Sequence, residues 1–242
     1  MARLPRIVVP DQPLHIMHRG NNRLDIFESE EDMLRIKEDI AVSLEKAACS
    51  LHAYIIMNNH LHLLVTPKDK MELARFMQSV ANRYVRYFNT QHNRTGTIWE
   101  GRYKSCLVDS DQYLLTLYRY IERNPVRAGI VESEADYRWS SYHHNALGKA
   151  DKLITEHDLY KALGGNVVLR QQHYLELFEQ PACNEESTKI NEATIKGEVY
   201  GSDVFHEKIG KLVERVTRLG KHGGDRKSKE YGNQAGCPLD MR

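Results

Sequence analysis

The sequence predicts an α+β fold, with helices packed on a small sheet that is at least partly antiparallel. Three observations carry this. Strand-like and helix-like stretches follow one another in the order strand, helix, hairpin, helix, strand, helix as far as Pro125. Two of the strands are joined by a tight polar turn, which requires antiparallel pairing. The 242 residues are 41% hydrophobic and 28% charged, an ordinary balance for a globular protein with one sizeable domain, or one domain and a smaller second one.

Taken in order, residues 14–19 (Leu-His-Ile-Met-His-Arg) read as a first strand, ended by the polar loop Gly20-Asn21-Asn22-Arg23. Ser29 is placed to cap a helix of about 30–48, with Met33, Leu34, Ile40 and Leu44 on one side. Two short β runs follow in Tyr54–Val65, broken at Asn58-Asn59. Asp69 caps a second helix of about 70–90, with Leu73, Phe76, Met77, Val80, Tyr84 and Phe88 at helical spacing. A strand near 103–108 comes next, and then a helix of about 111–123 opened by Ser110 and stopped by Pro125. The texture changes after residue 148, dividing the chain into 1–148 and a helical extension, 149–242. In the extension, Gly164-Gly165 and the polar stretch Asn184–Lys189 separate short helical patterns, the clearest being Phe205, Ile209, Leu212 and Val216. The end, including Lys221–Lys227, is nearly devoid of apolar residues and reads as a mobile basic tail.

Composition excludes more than it proposes. A net charge of +1 gives no general attraction to nucleic acid, so any DNA contact must rest on local patches. Cys49, Cys106, Cys183 and Cys237 form no C-x-x-C pair, which argues against a zinc ribbon or a disulfide framework. No run approaches the ~18 apolar residues of a membrane span, and the N-terminus carries no apolar leader pattern. A reducing cytoplasm is the expected location, with no membrane partner.

The chemistry concentrates in two places. His60 and His62 lie two apart on a strand, so both imidazoles leave the same face, while Leu61, Leu63 and Val65 leave by the other. Two adjacent imidazoles are half of a metal site; they equally fit strand histidines with satisfied hydrogen bonds. On the third helix, Leu114, Leu117, Tyr118 and Ile121 form an apolar stripe. Tyr120 and Asn124, spaced i, i+4, sit together to one side of it. A phenol and a carboxamide there suggest a nucleophile and a third ligand, and Tyr120 also fits a half-buried packing role.

Several motifs resemble a known family in the same order. They are His18-Arg19-Gly20-Asn21-Asn22-Arg23, Asn59-His60-Leu61-His62-Leu63-Leu64, Trp99-Glu100-Gly101-Arg102-Tyr103-Lys104-Ser105, Tyr120–Val131 and Trp139-Ser140-Ser141-Tyr142. Over residues 3–145 the series resembles the REP-associated tyrosine transposases, a branch of the single-tyrosine HUH nucleases related to small insertion-sequence transposases. Residues 190–226 resemble the C-terminal extension of longer members more loosely, and Asn58 stands where the family often has proline. The resemblance implies a ferredoxin-like antiparallel sheet, a single-stranded or hairpin DNA substrate, and Mg²⁺ or Mn²⁺ as cofactor. It maps His60 and His62 onto the histidine motif, Tyr120 onto the nucleophile and Asn124 onto the third ligand. It further implies a covalent 5′-phosphotyrosine, so that cutting and rejoining need no nucleotide cofactor, and association with the nucleoid when DNA is bound. A domesticated relative that binds hairpins without cutting them, or an unrelated metal-dependent phosphoesterase, are the competing readings.

DNA contacts are expected from basic residues interleaved with aromatics. Arg83, Arg102 and Lys104 are candidate phosphate contacts, Trp99 and Tyr103 candidate stacking platforms, and Arg19, Asn21, Asn22 and Arg23 candidate readers of bases or of a guide strand. Trp99 also fits a core position, and Tyr84 and Phe88 fit the core better than DNA. The oligomeric state, homo-oligomer included, stays open.

Overall fold

The computed structural model describes residues 5–179 and 183–218. Its first six elements are β1 (Leu14–Arg19), α1 (Glu30–Lys46), β2 (Cys49–Met57), β3 (His60–Pro67), α2 (Lys70–Gln91) and β4 (Lys104–Val108). They form an antiparallel sheet in the order β2-β3-β1-β4, the ferredoxin-like arrangement.

Local chemistry sets the helix ends. The Ser29 hydroxyl accepts from the Asp32 amide at 3.1 Å and the Asp32 carboxylate accepts from the Ser29 amide at 3.0 Å, a reciprocal cap at the start of α1. Glu30, Glu31 and Asp32 in that first turn also complement the helix dipole. Asp69 caps α2 by accepting from the Met71 amide at 2.8 Å. The six expected α2 residues are all buried. On α1, Leu34 is 50% exposed, and Ile36 takes its place beside Met33 and Ile40, because steps of three and four residues hold one face and a single step does not.

The sheet is covered on both sides. Leu61, Leu63 and Val65 of β3 pack with α1 and α2 in one core. On the other face Ala53, Ile55, Leu64 and Cys106 meet Leu114, Leu117, Tyr118 and Ile121 of α3 (Ser110–Glu122). Asp109 is the N-cap of α3, one residue before the expected Ser110.

The remaining elements are α4 (Asn124–Arg127), α5 (Tyr142–Asn145), α6 (Asp158–Lys161), α7 (Val167–Glu179), α8 (Asn184–Lys196), β5 (Val199–Tyr200) and α9 (Asp203–Val213). Residues beyond 148 build on the same sheet rather than beside it. β5 pairs in parallel with the edge strand β4, and α8 packs against β4 and β1 on the α3 side. The Asn184–Lys189 stretch, expected as a polar spacer, is the first half of α8, and Ile190 and Ala193 anchor that helix in the core. Of the expected C-terminal stripe, Phe205 and Ile209 are buried, whereas Leu212 and Val216 are 61% and 70% exposed. Leu212 is still within the helix, on its exposed side, and the helix stops at Val213, where Glu214 turns left-handed with φ 51°, so Val216 falls outside the helical period. The basic stretch Lys221–Lys227 lies outside the described residues. No helix among the described residues is long and apolar enough to cross a membrane.

Candidate active site

The site lies between the sheet and its α3/α8 cover. β1 and β3 run antiparallel with Met17 opposite His62 and Arg19 opposite His60, so His15, Met17, His60 and His62 share one face. Tyr120, on the last turn of α3, comes down onto that face, with its ring centroid 5.8 Å from that of His62 and 5.5 Å from that of His15. The His60 and His62 rings stand 5.1 Å apart. A cavity of about 490 Å³ opens here, lined by His60, His62, Tyr120, Asn124 and Arg127 and closed on one side by Ser187 and Asn191 of α8. The structure therefore brings Tyr120, His60, His62 and Asn124 together.

Hydrogen bonds orient each group. The Asn59 amide N–H donates to the Arg23 carbonyl at 3.0 Å, which turns the Asn59 side-chain oxygen toward His60 Nδ1, 2.6 Å away. An amide oxygen only accepts, so His60 carries its proton on Nδ1 and presents a bare Nε2. His62 Nδ1 lies 2.7 Å from His15 Nε2. Asn124 donates to the Tyr120 and Ile121 carbonyls at 3.0 and 3.1 Å, closing the end of α3, and its oxygen accepts from Arg127 at 3.0 Å. A second lone pair on that oxygen stays available. Arg127 also donates to Ser187 at 3.0 Å, and its guanidinium carbon sits 4.5 Å from the Tyr120 ring centroid. Both oxygens are neutral, so these bonds leave the guanidinium charge uncompensated.

Burial dominates the protonation states. It pushes His60 down to about 4 and His15 to about 3, and holds His62 well below the usual imidazole range, so all three are neutral at pH 7. Burial raises the Tyr120 phenol, and the charge and hydrogen bond of Arg127 act in the opposite direction.

Among the described residues no group of three or more His, Cys, Asp or Glu side chains could hold a metal ion. A cation at this cavity would therefore take the Asn124 amide oxygen as its third protein donor. The set fits a divalent ion: two neutral imidazoles and a neutral amide preserve its positive charge and leave positions for phosphate oxygens.

The expected DNA contacts divide into two groups. Asn21, Asn22 and Arg23 form an exposed turn beside the β2–β3 hairpin that carries His60, tied to it by the Gly20 amide donating to the Asn59 carbonyl at 2.7 Å. A Cβ on Gly20 would lie 2.4 Å from the Leu24 carbonyl oxygen, so only glycine permits that approach. Arg19 pairs with Glu100 at 2.6 Å, and Arg102 is exposed in the adjoining turn.

The second group is engaged in the protein itself. Trp99 is 4% exposed, stacks on His18 at 4.0 Å between centroids and donates to the Ala81 carbonyl at 3.3 Å; it is a core residue, not an open stacking platform. Arg83 binds the buried Asp39 at 2.9 Å on the α1/α2 side, away from the cavity. The Tyr103 ring is covered by Arg6 at 3.6 Å, and Lys104, at the start of β4, is half-buried.

Sequence reasoning missed His15, Arg127 and the α8 residues. Arg127 had a legible signal: Tyr120, Asn124 and Arg127 are spaced four and three, one helical face continued. His15 shared the β1 face that pairs with β3, but strand register was needed to see it. The contribution of α8 had no local signal at all.

Comparison with known proteins relates this fold, with its histidine pair under a helix-borne tyrosine, to transposases. A family model described as "Transposase IS200 like" matches residues 8–124, a span that contains His60, His62, Tyr120 and Asn124. Over that span, just under half of its length, the chain is similar to the IS200-like transposases. Over 103 residues it is 29% identical to a protein of Haemophilus influenzae named "Putative REP-associated tyrosine transposase"; the match spans 38% of this chain and 58% of that protein. The solved structure of a REP-associated tyrosine transposase bound to a REP hairpin shares the fold, with a TM-score of 0.52 at 16% identity, covering 65% of this chain and 93% of that one.

Proposed function

We propose that this protein is a transposase-type endonuclease and strand transferase acting on single-stranded DNA, in the form of REP-like hairpins, through a covalent 5′-phosphotyrosine. The convergence of Tyr120 with His60, His62 and Asn124 in one open cavity carries the reading. The Tyr120 oxygen attacks the scissile phosphorus and the bond from phosphorus to the 3′ oxygen breaks. The phenol proton passes to water in the cavity, and the departing 3′ oxygen takes up a proton from solvent. An incoming 3′-OH reverses the step, so the phosphodiester is conserved and no nucleotide cofactor enters. Mg²⁺ or Mn²⁺ held by His60, His62 and Asn124 would polarise the phosphate and offset its charge.

Arg127, beside the phenol, favours the phenolate and offers donors to a phosphate. The exposed turn Asn21-Asn22-Arg23, with Arg19 and Arg102, supplies the polar mouth along which the DNA lies.

A labelled panel of hairpins from the DNA flanking the gene, incubated with protein and Mn²⁺ and run on a denaturing gel, tests the proposal. The expected product is a protein–DNA adduct that EDTA abolishes and Mn²⁺ restores. Free hydrolysis product without adduct would point to a phosphoesterase, and bound but unchanged DNA to a non-catalytic hairpin binder.

A further inference from the structure

We propose that His15 and Thr194 are positioning residues that fix the tautomer of His62, so that its Nε2 is delivered bare to the cavity. The inference rests on the functional reading only in taking His62 as a metal ligand. The chain of contacts runs from α8 through β1 to β3. The Thr194 hydroxyl donates to the Ile190 carbonyl one turn back at 2.8 Å, which commits its only proton. His15 Nδ1, 2.8 Å from the Thr194 oxygen, is then the donor of that pair. A neutral imidazole protonated on Nδ1 has a bare Nε2. That nitrogen faces His62 Nδ1 at 2.7 Å, and one proton must lie between them, so His62 carries it. The His15 and His62 rings are parallel to within 4°, with centroids 4.9 Å apart and the two nitrogens 2.7 Å apart, so the rings meet edge to edge and an in-plane N–H···N bond fits. His62 Nε2 is left as the unprotonated nitrogen.

The same contacts could run in reverse. If Thr194 turned its proton to His15 Nδ1, His15 would donate from Nε2 and His62 would carry its proton on Nε2, where it could not ligate a cation. The helical carbonyl of Ile190 selects the direction. A threonine of α8, far along the chain, thereby decides whether the histidine pair is competent. This gives the C-terminal extension a role in the chemistry beyond covering the sheet.

The test is ¹⁵N NMR of the histidine side chains in the metal-free full-length protein, with Mn²⁺ affinity read by electron paramagnetic resonance. Wild-type His62 is expected as the Nδ1–H tautomer. His15→Leu removes the acceptor; His62 should lose that single tautomer and Mn²⁺ affinity should fall about 10- to 100-fold, the usual effect of losing a group that orients a metal-ligating histidine. His15→Gln, whose side-chain oxygen reaches the Nε2 position, should restore both. Thr194→Val leaves β1 intact and should shift His62 the same way as His15→Leu, which covers the case in which the leucine variant folds poorly. A wild-type His62 protonated on Nε2, or unchanged tautomer and affinity in His15→Leu and Thr194→Val, would overturn the relay. Neither readout uses DNA. The expected tautomer without any covalent adduct would sink the functional reading alone, and an adduct with His62 protonated on Nε2 would sink the relay alone.

Discussion

Glu122 lies two residues beyond Tyr120 and is fully buried. Its carboxyl receives the Ser141 hydroxyl at 2.5 Å, the Asn145 amide at 2.8 Å and the Tyr174 hydroxyl at 2.7 Å, which ties the end of α3 to α5 and α7. Burial outweighs these donors and pushes the carboxyl from 4.5 up to about 7. A folded-state value above the unfolded one means that the native protein binds the extra proton. The associated stability is complete below about pH 4.5 and is lost as pH rises through 7. At about 1.36 kcal/mol per pH unit, the interval from 4.5 to about 7 corresponds to about 3 kcal/mol. Glutamine mimics the protonated acid: its oxygen can accept from Ser141 and Asn145, and its amide N–H can donate to the Tyr174 oxygen. Urea unfolding from pH 5 to pH 8.5 should therefore show wild-type stability declining by up to about 3 kcal/mol relative to Glu122→Gln, the variant being the more stable at pH 8. Parallel curves for the two proteins would refute the reasoning, because they would show that the carboxyl titrates alike in the folded and unfolded chains.

Tyr120→Phe should abolish the covalent adduct while hairpin binding stays within a few-fold, and Tyr118→Phe, in the apolar stripe, should keep activity; the reverse pattern on a denaturing gel would reject the assignment of the nucleophile. Arg127→Ala should slow adduct formation about 10-fold or more, equivalent to about 1.4 kcal/mol, with a rise in the pH at which cleavage becomes half-maximal. An unchanged pH profile would remove Arg127 from the activation of Tyr120. Trp99→Ala should cost about 3–5 kcal/mol of stability in a chemical melt, while the protein that remains folded binds hairpin DNA as before. A weakened affinity with little loss of stability would return Trp99 to the DNA surface.

The sequence by itself determined the elements up to Pro125 and singled out His60, His62, Tyr120 and Asn124, which line one cavity. Ser29 with Asp32 and the Asp69 cap mark helix starts through bonds made within three residues, and the 60/62 and 120/124 spacings place side chains on one face of a strand and of a helix. Such signals are local, so they survive in a linear reading. Where the reading failed, the deciding forces were not local. A loop position next to basic residues makes Trp99 read as a DNA contact, whereas His18 and Ala81 receive it in the core. Arg83 looked free until Asp39, on another helix, claimed it. Asn184–Lys189 looked like a spacer because its hydrophilic half says nothing of Ile190 and Ala193, which seat the helix on the sheet. Only tertiary structure joined Thr194, His15 and His62 into one line of hydrogen bonds. Their partners lie 179 and 47 residues apart in the chain, and no periodicity reports a contact that strand register and helix docking create.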